Sequence, residues 1–201
     1  MKKKMTVKDY ILIGVLTAVM WIINMGISMV MSIAGPVTNV FYPAVVAIPN
    51  GIVMMLLLAK SPRKGIFTAV GVLQGLLFLL MGGFWTLPVG LILGGLICDF
   101  LIIGSHEVNT KNMLVSYTVF SGFLALGAIV LPLTLLKQAY VDIMLKNGLP
   151  QAYIDGMLSV SSGIMPVVLL AAGLAGGLLG GWLGQKALKK HFVKAGLVSV
   201  Q

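Results

Sequence analysis

The stretch Ile164–Leu188, IMPVVLLAAGLAGGLLGGWLGQKAL, decides the fold. Gly173, Gly177 and Gly181 recur every fourth residue, and so do Ala172, Gly176, Gly180 and Gly184. Residues four apart stack on one helix face, so the two rows make a broad strip with almost no side chain. In water this much glycine weakens a helix. In lipid the backbone must bond to itself, and small rows let another backbone come close. Leu, Val and Ala fill the gaps, which argues against a soluble glycine-rich loop. Lys186, Lys189, Lys190 and Lys194 follow at once. The stretch therefore predicts a membrane helix, packed tightly on its neighbours and pinned by a basic end.

The rest of the chain agrees. Its 201 residues are 59% hydrophobic and 9% charged, with mean hydropathy +1.05. Soluble domains carry about 25% charged residues. The composition predicts an all-α, polytopic membrane protein of one domain over residues 1–201. Cys98 is the only cysteine, which excludes an internal disulfide framework. The net charge of +9 reads as membrane topology rather than nucleic-acid binding, because the basic residues cluster beside apolar runs.

Six stretches approach the roughly 17–25 residues that cross a bilayer. They are Ile11–Ala34, Tyr42–Ala59, Gly65–Met81, Leu87–Ile103, Met113–Leu136 and Ile164–Leu188, followed by a basic tail over 189–201. The third and fourth are the shortest, joined by Gly82-Gly83-Phe84-Trp85. The first exceeds the apolar core of a cleaved signal, about 7–15 residues, and is expected to be retained. Twelve of the fourteen Lys and Arg fall on one side of a six-span arrangement: Lys2, Lys3, Lys4, Lys8, Lys60, Arg63, Lys64, Lys111, Lys186, Lys189, Lys190 and Lys194. Only Lys137 and Lys146 fall on the other. The asymmetry puts both termini in the cytoplasm and the long loop 137–163 outside.

Within the spans, Gly14 and Ala18 form a small-xxx-small pair suited to docking a second helix. Pro49-Asn50-Gly51 predicts a kink in the second span. Asn24, Asn50 and Gln74 fall at similar depth in three consecutive spans. They are expected to hydrogen-bond between helices rather than floor a ligand cavity. Asp99 lies inside the fourth span, near enough to its basic end to pair with Arg63 or Lys64. In the outer loop, Leu136, Tyr140, Met144 and Leu145 recur at near-helical spacing, as do Tyr153, Met157 and Val160. Gly148-Leu149-Pro150 divides them. Two short amphipathic helices over the outer mouth follow, either resting on headgroups or forming a lid.

Chemistry is sparse. No phosphate-cradling loop of the G-x-x-x-x-G-K-[ST] type is present, nor H-E-x-x-H, nor a cysteine pair. His106 and His191 both fall on the cytoplasmic side. No nucleophile, base and orienter can be assembled from so few ionisable residues. The sequence thus predicts no catalytic residues, no metal site and no cofactor, and argues against an enzyme. Met29, Met31 and Met81 near the outer end could face a soft or flat ligand.

The opening Met5-Thr6-Val7-Lys8-Asp9-Tyr10-Ile11-Leu12-Ile13-Gly14-Val15-Leu16-Thr17-Ala18, Phe41-Tyr42-Pro43-Ala44, and the run Gly180 to Gly196 (GGWLGQKALKKHFVKAG) are distinctive. Together they resemble the Trep_Strep family of small integral membrane proteins, grouped with substrate-binding S components of energy-coupling factor (ECF) transporters. The resemblance implies a six-helix bundle in the bacterial cell membrane. It would capture a vitamin- or cofactor-like nutrient and dock on a transmembrane coupling subunit driven by two cytoplasmic ATPases. Some relatives are tied to haem or iron-complex uptake. In such proteins a small pair on the first helix meets the coupling subunit; Gly14 and Ala18 match, with glycine at the first position where alanine is commoner. The ligand is held by helices four to six and the outer loops. That points to Phe84, Trp85, Lys137, Tyr140 and Tyr153, with Asn39 and Tyr42 from the first outer loop. The rival readings are a stand-alone secondary carrier or channel, and a membrane-embedded enzyme.

Overall fold

The computed structural model describes residues 5–104 and 109–189. Lys2, Lys3, Lys4, Lys190, Lys194 and both histidines lie outside the described residues, as does the tail beyond Lys189. Every described element is helical. In chain order they are α1 (Val7–Ala34), α2 (Pro36–Asn39), α3 (Tyr42–Lys60), α4 (Ile66–Leu80), α5 (Thr86–Leu96), α6 (Thr110–Ala125), α7 (Leu131–Leu133), α8 (Lys137–Lys146), α9 (Gln151–Ser159) and α10 (Met165–Ala187). A π-turn, Ile97–Ile102, extends α5, and another, Leu126–Val130, joins α6 to α7.

Among the described residues, four helices are long and apolar enough to cross a membrane: α1, α3, α10 and the rod Thr110–Leu133. The other two apolar helices, Ile66–Leu80 and Thr86–Ile102, are shorter. At about 1.5 Å per residue, 15-residue α4 reaches about 23 Å, short of a hydrocarbon core of about 30 Å. The predicted stretches and the observed helices begin and end within about a turn of one another. α3 continues through Pro49 without interruption.

The two glycine rows of α10 serve two different neighbours. Gly176 and Gly180 lie against α3: a Cβ on Gly176 would sit 2.2 Å from the Ala44 carbonyl oxygen, and one on Gly180 2.3 Å from that of Ala47. Gly51 returns the contact, since its Cβ would meet Gly180 backbone at 2.3 Å. Gly173 and Gly177 lie against α6, facing Ala125 and Ser121, and Leu114 leans into the space beside Gly181. Any side chain at Gly176 or Gly180 would strike backbone, which cannot swing aside as a rotamer can. The Tyr117 hydroxyl of α6 donates to the Ala47 carbonyl at 2.6 Å, tying the third side of this triangle. α4 and α5 form a separate hairpin by the same device: Gly71 and Gly75 rest on Leu91 and Pro88, and Gly95 on Phe67 and Thr68.

α1 packs along one stripe, Asp9, Ile13, Thr17, Met20 and Asn24, at helical spacing. Its first turn is fixed by Asp9. Thr6 donates to that carboxylate through both its amide and its hydroxyl, each at 2.7 Å. Ser61 donates to the other oxygen at 2.7 Å, and Arg63 Nε lies 3.2 Å from the oxygen that Thr6 bonds. The start of α1 is thereby clamped to the turn between α3 and α4. This corrects the expected partner of Arg63. Asp99 instead accepts from the amide and hydroxyl of Thr68, both at 2.7 Å, in the first turn of α4. A carboxylate there satisfies donors that a helix start leaves without intrahelical partners.

The three mid-depth amides do meet. Asn50 Nδ2 donates to Asn24 Oδ1 at 2.8 Å, and Asn24 Nδ2 to Gln74 Oε1 at 3.4 Å. All three are buried. They join α1, α3 and α4, at about 1 kcal/mol or less per bond in lipid.

Candidate functional site

At the end of the bundle opposite Arg63, α8 and α9 lie as two short helices separated by a turn at Gly148, whose φ is +85°. Their buried residues are Tyr140 and Met144 on α8, and Ile154 and Met157 on α9. The apolar periodicity had marked Tyr140, Met144 and Met157; Leu145 is exposed instead, and Ile154 takes its share of the packing.

Beneath this cap sits an aromatic nest. Tyr42 comes from the start of α3, Phe84 from the α4–α5 turn, and Tyr140 from α8. All three are at most 8% exposed. The Phe84 ring meets Tyr140 edge-on at 5.5 Å, an arrangement that suits the opposed quadrupoles of ring edge and ring face. Tyr140's hydroxyl lies 4.0 Å from Met157 Sδ. Tyr42 and Tyr153 are each within electrostatic reach of Tyr140. Burial first, then the neighbouring Tyr153, pushes the Tyr140 hydroxyl up to about 12, so it remains a neutral donor at physiological pH.

The remaining expected residues are placed differently. Trp85 stacks beside Phe84 with centroids 5.8 Å apart, but is 49% exposed, at the rim. Tyr153 is half-buried, and its hydroxyl donates to the Ser32 carbonyl at 3.3 Å. Asn39 ends α2 and keeps its side-chain oxygen buried with no hydrogen-bond partner among the described residues. Lys137 is exposed in the first turn of α8. Met29 and Met81 are exposed on the outside of the bundle and Met31 is half-buried.

Three contacts that sequence reasoning missed hold the cap down. Asn147 Nδ2 donates to the Gly82 carbonyl at 2.8 Å, joining the α8–α9 turn to the α4–α5 turn. The Tyr153–Ser32 bond joins α9 to the end of α1. Gly156 lets α9 sit on the Pro36 ring, where a Cβ would be 2.5 Å away. Each partner is distant in sequence, and no local pattern marks it.

Among the described residues, no group of His, Cys, Asp or Glu could hold a metal. The nest offers flat apolar faces, tyrosine hydroxyls and a thioether. Such groups are of the kind that contact a partly apolar molecule.

Gly14 and Ala18 lie on the opposite kind of surface. Both are exposed, and a Cβ on Gly14 would meet nothing within 4 Å. Tyr10, Ile11, Val15, Val19 and Ile22 flank them, all exposed.

Long apolar helices joined by glycine seams, with three buried amides hydrogen-bonded between helices, define a helical integral membrane protein. Within that class, residues 7–194 match the family described as hypothetical bacterial integral membrane protein (Trep_Strep), and the chain belongs to it. No curated protein and no solved structure matches it.

Proposed function

We propose that this protein is the substrate-capturing S component of an ECF-type importer. The observation that carries the reading is the pairing of two surfaces. One is an aromatic nest closed by a latched cap at one end of the bundle. The other is an unfilled small-residue furrow along α1. The first suits capture of a nutrient from outside; the second suits docking of a coupling subunit, which two ATPases would drive. In this reading α4 and α5 complete six spans, their shortness met by local thinning of the bilayer. Both termini are cytoplasmic. The ligand is a vitamin- or cofactor-like molecule, flat and partly apolar, such as haem or an iron complex. ATP is hydrolysed only in the partner subunits.

The test is co-purification of the full chain with a coupling subunit and two ATPases, alongside uptake in vesicles. Gly14→Leu and Ala18→Leu should abolish assembly while leaving ligand binding intact. Concentrative uptake by the protein alone would instead favour a stand-alone carrier. The buried amide triad gives that second reading its one foothold, because polar groups at mid-membrane also line solute pathways.

A further inference from the structure

The glycine row that seats α10 on α6 leaves a groove on the outside of the bundle. It is lined by Leu114 of α6 and by Ala175, Leu178, Leu179 and Trp182 of α10, with a volume of about 390 Å³. Leu114 tips toward Gly181 and so opens the space beside it. No polar residue lines the groove. Leu178, Leu179 and Trp182 are each about half exposed.

Charge gathers at one end of it. Lys186 holds its ammonium 5.1 Å from the centroid of the Trp182 ring. The Gln185 side chain donates to the Thr110 carbonyl, which brings the end of α10 beside the start of α6. Lys111 is therefore at the same end, exposed, with exposed Lys189 one turn beyond Lys186. The start of 16-residue α6 adds the positive end of its helix dipole. From Ala175 to Lys186 is about 16 Å along the helix. One leaflet of hydrocarbon is about 15 Å.

We propose that this groove holds an acyl chain of one anionic phospholipid, whose phosphate sits among Lys111, Lys186 and Lys189. The match of apolar length to one leaflet places the headgroup level with the lysines. The Lys186–Trp182 contact pre-positions an ammonium at the boundary, where aromatic rings and basic side chains anchor helices. A second copy of the chain would fit poorly, since three like-charged lysines would face their equivalents across the interface. The groove lies on α6 and α10, whereas the α1 furrow is on the far flank of α3. The proposal thus stands apart from the transport reading.

The experiment delipidates the full chain in detergent and titrates it with phosphatidylglycerol or phosphatidylcholine of identical acyl chains. Native mass spectrometry counts bound lipid. The first phosphatidylglycerol should bind in preference to phosphatidylcholine. Lys111→Gln with Lys186→Gln should reduce that preference by up to about thirtyfold, near fivefold per lysine. Leu178→Trp, which fills the groove, should remove the first bound lipid whatever its headgroup. Ala175→Leu is the gentler plug if that variant misfolds. As a second readout, brominated phosphatidylglycerol should quench Trp182 fluorescence, taken as the difference between wild type and Trp182→Phe, more than brominated phosphatidylcholine does. Equal retention of the two lipids, retention unchanged by both plugs, or a protein dimer in place of the lipid adduct would each overturn the proposal.

Discussion

The seam around α10 and the cap formed by α8 and α9 are both closed surfaces, but they are closed by different means. In the seam, backbone meets backbone: Gly176 and Gly180 leave no room for a methyl group. In the cap, side chains do the holding: one asparagine, one tyrosine and one ring edge. A backbone contact has no alternative rotamer and is kept or lost whole. A side-chain latch can be released and remade at about 1 kcal/mol. The contrast predicts a half that stays rigid and a half that yields first, with the nest at the boundary between them.

The largest effect should come from breaking the rigid half. Gly176→Leu or Gly180→Leu must drive α3 and α10 apart, at a cost of about 3 kcal/mol or more. Thermal unfolding in detergent would register this as a loss of the folded fraction. A variant that melts like wild type would remove the distinction between the two halves. Next in size is Asn24→Leu, which leaves the amides of Asn50 and Gln74 unpaired between three helices. It should cost about 1–2 kcal/mol, measurable in the same assay.

The cap should respond on another axis. Asn147→Ala combined with Tyr153→Phe should lower global stability by about 1 kcal/mol or less. Hydrogen exchange or proteolysis within 137–160 should rise severalfold all the same, because the latches oppose local opening. If protection changed equally across α10, cap and seam would be one unit. The same region carries a pH dependence. Tyr140's hydroxyl is raised by burial, so its contribution is complete below the ordinary tyrosine value near 10 and is lost as pH rises through about 12. Cap protection should therefore be flat from pH 6 to 9 and fall in strong alkali, and Tyr140→Phe should remove the fall. The smallest effect on folding belongs to Gly14→Leu, which adds a side chain to open space. Its melting should stay within about 0.5 kcal/mol of wild type.

Much of this was legible in the sequence, for a physical reason. The glycine rows repeat often enough to set helix, environment and two packing faces together, and each row found its own partner. Asn24, Asn50 and Gln74 were found by counting depth, since a rise of 1.5 Å per residue converts sequence position into membrane height. The amphipathic pair 137–160 declared itself by period. What stayed hidden depends on partners far apart in the chain. Asp9 reads as a helix-start acid, and nothing local says that Ser61 and Arg63 close around it. Asp99 was expected to seek a cation and found the start of α4. Lys137 shares its helical phase with buried Met144, seven residues on, yet is exposed in the first turn of α8.

The π-turn at Leu126–Val130 carries a consequence of its own. Such a turn holds one residue more than a regular helix needs, and here it sets Gly127 against Thr86, whose hydroxyl donates to the Gly127 carbonyl at 2.7 Å. Deleting a single residue from it would make a more regular helix. It would also swing everything downstream by about 100°. Tyr140 would then leave the nest, although no contact in the nest had been touched. In this stretch an irregular rod aims the cap, and tidying the local geometry would spoil the aim.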